Sequence, residues 1–240
     1  GKSAVNIIGH RGSNFNDGEN TLRAITKALN DKADGIEVDL RAVENNIIIL
    51  HDETVNRTTN GSGHYKNFSS KSIRFLRCLN GDKIPLLQEI LCLQKPIKEL
   101  ILEFKEPGIA GEVSQILDSH LRFTSGQYKK NIIVSSFNIE ITKELSRYPD
   151  KWKLAILYKD DFFSAIQRAK FYNAPDVHVP MSDINKHNIK YAHKNKRRVY
   201  AFTVNNLKDY ELCLACGVDG IFTDNPKYFV QHALAEEQTR

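Results

Sequence analysis

The sequence predicts an α/β protein folded as a (β/α)8 TIM barrel, and three observations support this prediction. From residue 100 onward, short apolar runs rich in β-branched residues alternate with segments of helical periodicity, which is typical of a parallel sheet covered by helices. Two further strand–helix units come before residue 100, so the chain holds the eight units that close a barrel. No glycine-rich dinucleotide-binding turn follows the first strand, which disfavours the alternative of an open doubly wound sheet.

The beginning of the chain supplies the first strand and the first helix. Residues 5–9 form a short apolar run, and residues 21–30 place their apolar side chains on one helical face. Asn20 or Thr21 can cap this helix, because the side-chain oxygen of either residue can accept a hydrogen bond from the first turn. The first strand–helix unit is therefore expected to lie within residues 5–30.

The second strand is expected to return as a β-hairpin. Its apolar residues alternate with polar ones, the period of two that a strand imposes, so Glu37 and Asp39 point to the same side. The β-branched run at 47–50 follows so closely that it can only pair antiparallel with the second strand. With the turn centred on Asn45, residue 39 faces residue 51, and His51 is expected to return beside Asp39.

A segment without a strand pattern follows the hairpin. Residues 53–84 are interrupted by glycines, although Ser69 or Ser70 can begin a short helix there. Residues 85–93 then predict a helix that has Pro85 in its first turn, where a missing N–H group costs little.

The rest of the chain alternates regularly, and a single domain over residues 1–240 is expected, with a small insertion at about 52–84. Strands are predicted at 100–104, 131–136, 153–158, 176–180, 198–204 and 218–223. Helices are predicted at 109–120, 138–148, 161–172, 183–195, 206–216 and 225–237.

The composition is that of a soluble globular protein, with 41% hydrophobic and 26% charged residues. The formal charge of +5 indicates a lysine-rich surface with mild attraction for phosphate-bearing substrates, and no nucleic-acid-binding motif is present. No apolar run is long enough to span a membrane and no signal-peptide pattern opens the chain, so we expect a cytoplasmic location. The spacing of the cysteines does not fit a zinc site, and we expect all four to be buried thiols: Cys78, Cys92, Cys213 and Cys216.

Three carboxylates are expected to converge at the carboxyl-terminal ends of adjacent strands, where the active sites of such barrels lie. Glu37 and Asp39 belong to the second barrel strand, and Glu103 belongs to the next. Oxygen ligands of this kind suit a hard cation, so the sequence predicts one bound Mg²⁺ or Ca²⁺. The alternative, in which each carboxylate pairs with a neighbouring lysine or arginine, is less favoured for three that converge.

Two histidines and two basic residues are expected at the same end of the barrel. His10 and His51 suit general acid–base catalysis, because imidazole titrates near neutral pH. Arg11 and Lys105 would neutralise an anion, the arginine by binding two oxygens and the lysine as a point charge. A cation, an acid–base pair and two fixed positive charges together predict the cleavage of a phosphoester.

The order of these motifs resembles that of the glycerophosphodiester phosphodiesterase family over almost the whole chain. The matching motifs are HRG at 10–12, EN at 19–20, E-x-D at 37–39, HD at 51–52, RTT at 57–59, IPLLQEIL from Ile84, E-x-K at 103–105, Ser136-Phe137, Thr203-Val204-Asn205 and GVDGIFTDNP from Gly217. The resemblance implies a barrel with an insertion after its second strand and a divalent cation on the three carboxylates. It also implies that the two histidines form the acid–base pair and that Arg11 and Lys105 bind the phosphate.

The resemblance bears on three further residues of the pocket. Glu19 takes the place of a residue that often has a supporting metal-binding or ligand-binding role in the family. For Ser136 two interpretations are open: it lines the pocket, or it is a serine at the end of its strand whose hydroxyl is satisfied locally. Phe202 stands where the family often has a tryptophan, so the wall stays apolar but loses the indole donor.

The reaction that the resemblance implies is hydrolysis of a small glycerophosphodiester to glycerol 3-phosphate and an alcohol. One alternative is a lysophospholipase D that acts on lysophospholipids and contacts a lipid surface. Another is a non-catalytic barrel that binds a phosphate ligand, which the intact histidine pair and carboxylates disfavour. Attack by the glycerol 2-hydroxyl through a cyclic phosphate and direct attack by water are both open, as are the choice of base and the oligomeric state.

Overall fold

Eight parallel strands close into a barrel in the computed structural model, which describes residues 5–121 and 128–239. Each barrel strand pairs with the next, and β1 pairs with both β2 and β9, so the sheet closes on itself. The barrel strands are β1 (Asn6–His10), β2 (Gly35–Val43), β4 (Glu99–Phe104), β5 (Ile132–Ser136), β6 (Lys153–Ile156), β7 (Asp176–Pro180), β8 (Arg198–Phe202) and β9 (Gly220–Thr223). The extra strand β3 (Asn46–Ile49) pairs antiparallel with β2 outside the barrel. The predicted barrel with an antiparallel hairpin strand is therefore confirmed.

Helices follow the strands on the outside of the barrel, and each predicted helix is present. The helices of the described residues are α1 (Asn14–Asp17), α2 (Leu22–Asn30), α3 (Ser70–Ile73), α4 (Leu87–Leu91), α5 (Ala110–Leu121), α6 (Tyr128–Asn131), α7 (Ile139–Leu145), α8 (Phe162–Phe171), α9 (Lys186–Lys194), α10 (Leu207–Cys216) and α11 (Pro226–Gln238). The short helices α1 and α6 were not predicted, because four residues are too few to show a helical period. No helix in the described part of the chain is long and apolar enough to cross a membrane.

Two helices begin later than the sequence predicts. Met181–Asp183 form a separate 3-10 turn, and Asn185 then caps α9, so this helix begins three residues after the predicted start. Pro85 lies before α4 rather than in its first turn, because Leu86 is extended and donates its backbone N–H to Glu89 Oε1 at 2.8 Å. In both cases a side chain that satisfies free backbone N–H groups marks the start of the helix.

The barrel is filled with side chains beneath its carboxyl-terminal end. Its interior packs Ile8, Ile101, Ile133, Ala155, Tyr200 and Phe222 into one apolar cluster. At the opposite end, Arg198 donates to both carboxylate oxygens of Asp176 at 2.8 Å and to Glu99 Oε2 at 3.0 Å. A ligand at the carboxyl-terminal end would therefore lie on a closed apolar floor.

The antiparallel hairpin is present, but its predicted register is wrong by one residue. Leu40 pairs with Ile49, and the backbone N–H that donates to Asp39 O, at 3.0 Å, comes from Leu50 rather than from residue 51. A turn centred on Asn45 would leave a loop of one residue, whereas the structure forms a two-residue loop, the shortest that hairpins commonly use. Glu44 takes the left-handed conformation in this loop, with φ of 51°.

The segment from residue 52 to residue 84 packs on the hairpin as a second apolar cluster. As predicted, it contains no strand, although isolated bridges join Thr54 to His64 and Thr59 to Cys78. The cluster joins side chains of the hairpin to side chains of the segment: Val43, Ile48, Leu50, Val55, Tyr65, Ile73 and Ile84. The hairpin therefore forms the base on which this segment is built, beside the mouth of the barrel.

The cysteines differ from the prediction of four buried thiols. Cys213 is buried, but Cys78 and Cys216 are half-buried and Cys92 is exposed. Cys92 directly follows the short helix α4, whose buried side chains are Leu87 and Ile90, and its own side chain points away from the core.

Candidate active site

A cavity of about 220 Å³ opens at the carboxyl-terminal end of the barrel, and it has a charged side and an apolar side. The charged side comes from β1, β2, β4 and the segments that follow β1, β3 and β4: His10, Arg11, Glu37, Asp39, His51, Glu103 and Lys105. The other side comes from the strands across the barrel: Ser135, Phe137, Leu157, His178, Phe202, Thr203 and Phe222. The seven residues that the sequence assigned to metal, phosphate and acid–base roles therefore lie together.

Three buried carboxylates lie closest to one another in this cavity. Glu37, Asp39 and Glu103 each offer an oxygen within 4.8 Å of the other two. Strand register explains their approach, because Asp39 pairs directly with Glu103 across β2 and β4, and Glu37 lies two residues before Asp39 on the same face. Their exposed fractions are only 6%, 1% and 8%.

Burial and mutual repulsion change the acidity of this cluster. Burial and the charges of Asp39 and Glu103 raise the pKa of Glu37 well above its usual range. Burial, followed by the charge of Asp39, raises the pKa of Glu103 to about 8. Burial also opposes ionisation of Asp39, but the hydrogen bond from Glu103 and the charges of Lys105 and Arg11 outweigh it and lower its pKa. Three such groups are difficult to ionise together without a further positive charge.

Two basic side chains lie against the carboxylates. Lys105 Nζ contacts Glu103 Oε2 and lies 3.8 Å from Asp39 Oδ1. Arg11 Nε lies 3.4 Å from Asp39 Oδ2, but this buried nitrogen makes no hydrogen bond with any residue that the structure describes. The donor set is all oxygen, buried and still short of positive charge, which fits a hard divalent cation.

Each of the two histidines is backed by a carboxylate. His10 Nδ1 lies 2.7 Å from Asp224 Oδ1, and His51 Nδ1 lies 2.7 Å from Asp52 Oδ1. The Nδ1 atoms are thereby engaged, which leaves Nε2 of each ring as the nitrogen available to a ligand. Burial lowers the pKa of His51, and the hydrogen bond to Asp52 opposes this effect only in part.

Asp224, whose carboxylate contacts His10 Nδ1, was not identified as a functional residue from the sequence. Asp224 also accepts hydrogen bonds from Asn14 Nδ2 at 2.7 Å and from Asn205 Nδ2 at 2.8 Å. Burial opposes its ionisation, but the hydrogen bond and charge of His10, together with the hydrogen bonds from the two asparagines, outweigh it and lower the pKa of Asp224. The positions of Asp224 and Asn205 at the ends of the last two strands were a usable signal, because closure of the barrel brings those ends beside β1.

Glu19 does not line the cavity but binds two arginines next to it. Its Oε2 accepts a hydrogen bond from Arg11 Nη1 at 3.0 Å, and its Oε1 accepts one from Arg57 Nη1 at 2.6 Å. Arg57 also donates to both oxygens of Asp52, at 2.8 and 3.0 Å. This chain of ion pairs links the segment after the hairpin to the carboxylate behind His51.

The loop after β1 is wound tightly onto the carboxylates. The backbone N–H of Arg11 donates to Glu37 Oε1 at 3.2 Å, and Asn20 Nδ2 donates to Asp39 Oδ2 at 3.0 Å. Asn20 is therefore not the cap of α2, which is Thr21. Gly12 has φ of +82°, and a Cβ at this position would lie 2.8 Å from the backbone of α2, so a side chain does not fit there.

The structure places Ser135, and not Ser136, on the cavity wall. Ser135 pairs with Glu103 in the barrel and lines the cavity beside it. Ser136 points the other way, and its Oγ accepts a hydrogen bond from the Asn138 backbone N–H at 3.1 Å. Of the two interpretations of Ser136, the pocket residue is therefore wrong and the locally satisfied serine is correct. Phe202 does line the cavity as expected and meets Phe137 edge to face.

His178 forms part of the cavity floor. It is 2% exposed and stacks on Tyr200, and its ring meets Phe222 edge to face. Burial lowers its pKa to about 3, so the ring is neutral at physiological pH. Its Nε2 is buried without a hydrogen-bond partner among the described residues.

Comparison with protein families and individual proteins gives one consistent result. The model of the glycerophosphoryl diester phosphodiesterase family matches residues 10–228. A glycerophosphodiester phosphodiesterase of Caldanaerobacter subterraneus subsp. tengcongensis is 29% identical over 238 residues, which cover 93% of this chain and 96% of that protein. A protein of the same name from Bacillus altitudinis is 30% identical over 237 residues, which cover 92% of this chain and 94% of that protein.

A solved structure has the same fold. The structure of an Oleispira antarctica phosphodiesterase in complex with the product sn-glycerol-3-phosphate matches with a TM-score of 0.81. The match covers 95% of this chain and 96% of that chain, at 21% sequence identity. At this identity the likeness establishes the barrel fold alone.

Proposed function

Because the chain belongs to the glycerophosphoryl diester phosphodiesterase family, we propose that it hydrolyses glycerophosphodiesters to glycerol 3-phosphate and an alcohol. One observation carries the proposal: two carboxylate-backed histidines share a cavity with three buried carboxylates and two basic side chains. The Oleispira antarctica phosphodiesterase, which has the same fold, was solved in complex with the product sn-glycerol-3-phosphate, and this supports the proposal of the same class of product.

The three carboxylates are proposed to hold one divalent cation, Mg²⁺ or Ca²⁺. Glu37, Asp39 and Glu103 fit it because their oxygens converge and because burial makes their combined negative charge costly without a cation. When bound, such a cation lowers the pKa of a coordinated hydroxyl and offsets the negative charge on a phosphate oxygen.

Arg11 and Lys105 are proposed to bind the phosphate of the substrate. Both line the cavity beside the carboxylates, and both present N–H donors of the cationic type that binds phosphate oxygens. Glu19 holds the guanidinium of Arg11 through its terminal nitrogen, which leaves the buried Nε directed toward Asp39. Fixed donors of this kind stabilise negative charge that develops on phosphate oxygens during the reaction.

His10 and His51 are proposed to move the protons. One imidazole takes the proton of the attacking hydroxyl as its oxygen forms a bond to phosphorus. The other gives a proton to the alcohol oxygen as the bond between that oxygen and phosphorus breaks. The attacking group is the glycerol 2-hydroxyl, which would give a cyclic phosphate that water then opens, or it is water itself.

A second candidate function is that of a lysophospholipase D. Phe137, Leu157 and Phe202 form an apolar wall across the cavity from the charged residues, and such a wall can bind an apolar alcohol or acyl group. The site residues and their roles would be the same for this reaction, and only the substrate would differ.

Substitution of each histidine tests the proposal. The unmodified enzyme is expected to release glycerol 3-phosphate from glycerophosphocholine, and His10→Ala and His51→Ala are expected to lose most of this activity, by roughly 10² to 10⁴ in rate. Circular dichroism and thermal unfolding should show that both variants remain folded. Full activity in either variant would remove that histidine from the mechanism. Cleavage of a lysophospholipid without cleavage of glycerophosphocholine would favour the second candidate.

A further inference from the structure

Three large apolar side chains project into solvent from the loop after β1 and from the segment after the hairpin, and we call them the apolar rim. They are Phe15, Phe75 and Leu79, which are 65%, 69% and 78% exposed. Side chains of this size are usually covered, and a group of them on one rim indicates a contact surface. None of the three belongs to the proposed catalytic machinery.

One backbone and one side-chain hydrogen bond place Phe15 and the residue after Leu79 at the carboxyl-terminal end of the barrel. The backbone N–H of Phe15 donates to the carbonyl of Asp224, the residue behind His10, at 3.1 Å. The turn that follows Leu79 packs on the start of α2, where Asn80 Nδ2 donates to Thr21 Oγ1 at 3.0 Å. Phe15 and Leu79 therefore lie at the end of the barrel where the cavity opens, and Phe75 lies four residues before Leu79 on the same segment.

The segment that carries Phe75 and Leu79 also has an excess of positive charge. Residues 53–84 contain six basic residues and two acidic ones, in a chain whose formal charge is +5. Three of the six are neutralised by carboxylates elsewhere: Arg57 by Glu19 and Asp52, Lys66 by Glu106, and Arg74 by Glu89. The other three, Lys71, Arg77 and Lys83, are exposed and form no ion pair with any residue that the structure describes.

We infer that the apolar rim, together with Lys71, Arg77 and Lys83, docks the enzyme on an anionic lipid surface with the cavity facing the bilayer. Apolar side chains flanked by lysine and arginine are the combination that binds the interface of an anionic membrane. A single substrate molecule does not account for this surface, because its one phosphate is proposed to bind Arg11 and Lys105 inside the cavity. A second copy of the chain does not fit either, since a symmetric contact would place two surfaces of the same positive charge against each other.

Vesicle sedimentation tests the inference without any substrate, so its result is independent of the proposed reaction. The protein is expected to bind phosphatidylcholine vesicles that contain phosphatidylglycerol at least about tenfold more tightly than pure phosphatidylcholine vesicles, and salt should weaken the binding. The double variant Phe75→Ser, Leu79→Ser is expected to lose about tenfold in binding or more. Its matched control is Phe171→Ser on α8, which removes an aromatic ring that is 78% exposed but lies across the barrel, and this control should bind normally.

A second pair of variants separates charge from apolar contact. Lys71→Gln with Lys83→Gln is expected to remove the preference for phosphatidylglycerol, whereas Lys190→Gln with Lys194→Gln on α9 should keep it. These two double variants, like the Phe75→Ser, Leu79→Ser variant and the Phe171→Ser control, should hydrolyse a soluble glycerophosphodiester at the normal rate. Equal binding to both kinds of vesicle, or equal losses in the variants and their controls, would overturn the inference. No binding to either vesicle would overturn it too, and would leave an acidic protein as the partner to examine.

Discussion

His10 Nδ1 lies 2.7 Å from Asp224 Oδ1, although the two residues come from opposite ends of the chain. Closure of the barrel makes this contact, because β1 pairs directly with β9 and the residue after β9 falls beside the residue at the end of β1. The second histidine–carboxylate pair (dyad) of the site, His51 and Asp52, is a contact between sequence neighbours. Two equivalent dyads are therefore built in different ways, one by the fold and one by local sequence.

Asp224→Asn is expected to lower kcat by about 10²-fold without unfolding the protein, because the amide cannot stabilise a protonated His10 as the carboxylate does. Asp224 acts through His10, so the pH profile of kcat should change as well. Steady-state hydrolysis of glycerophosphocholine across a range of pH measures both effects. The control Asp160→Asn breaks a surface ion pair with Arg168 and should leave activity unchanged. An Asp224→Asn enzyme with normal kcat and a normal pH profile would contradict a positioning role.

Cation binding is expected to strengthen as the pH rises toward 8. A carboxylate must lose its proton to bind a cation, and burial, followed by the charge of Asp39, raises the pKa of Glu103 to about 8. Below pH 8, each proton that the cation must displace from the carboxylates lowers the affinity for the cation about tenfold per pH unit. The affinity at pH 7 should therefore be clearly weaker than at pH 8. Titration calorimetry with Mg²⁺ or Ca²⁺ in two buffers of different ionisation enthalpy measures the affinity and the protons released. Affinity independent of pH over this interval would contradict the prediction.

Glu103→Gln is expected to separate stability from cation binding. With chelator present, the variant should be as stable as the unmodified protein or more stable, because it removes a carboxyl group that burial already disfavours in its charged form. Mg²⁺ or Ca²⁺ should raise the Tm of the unmodified protein, since a ligand that binds the folded state stabilises it. The same cation should raise the Tm of the variant little or not at all. An equal rise in both proteins would exclude Glu103 from the cation site.

His178 is expected to make the protein sensitive to acid. Burial lowers its pKa from 6.5 to about 3, so the unfolded chain takes up a proton in this interval while the folded protein does not. Stability is therefore fully present above pH 6.5 and falls as the pH drops toward 3, by about 2 kcal/mol between about pH 7.5 and pH 5. Urea unfolding at these two pH values should show a smaller decrease for His178→Phe, which keeps an aromatic ring against Tyr200 and Phe222. The exposed residue His187, replaced by Gln, serves as the control and should lose stability as the unmodified protein does.

Local periodicity predicted most of the fold and the central carboxylates. Glu37, Asp39 and Glu103 could be placed because a strand repeats every two residues and because adjacent strands of a barrel end side by side. The same period decides between Ser135 and Ser136, since Ser135 pairs with Glu103 and so faces the cavity with it. Of the two interpretations of Ser136, only the one that placed it in the pocket conflicts with this alternation.

The features that the sequence did not predict depend on loops and on contacts between distant residues. The roles of Glu19 and Arg57 follow from the way the segment after the hairpin folds back across the loop after β1, which no periodic pattern reports. The hairpin register depended on whether the loop contained one residue or two, and the sequence of asparagines allowed either centre. Side-chain hydrogen bonds of this kind form only after the barrel has closed.

The most direct test of the central claim is release of glycerol 3-phosphate from glycerophosphocholine and glycerophosphoethanolamine, measured after chelation and again after Mg²⁺ or Ca²⁺ is restored. The structure predicts that activity disappears with the chelator and returns with one of the cations, because Glu37, Asp39 and Glu103 lack a sufficient positive counter-charge without it. Thermal unfolding in the same solutions shows whether the chelated protein is still folded. Full release of glycerol 3-phosphate from thoroughly chelated protein, or no release under any of these conditions, would contradict the claim of a metal-dependent glycerophosphodiesterase.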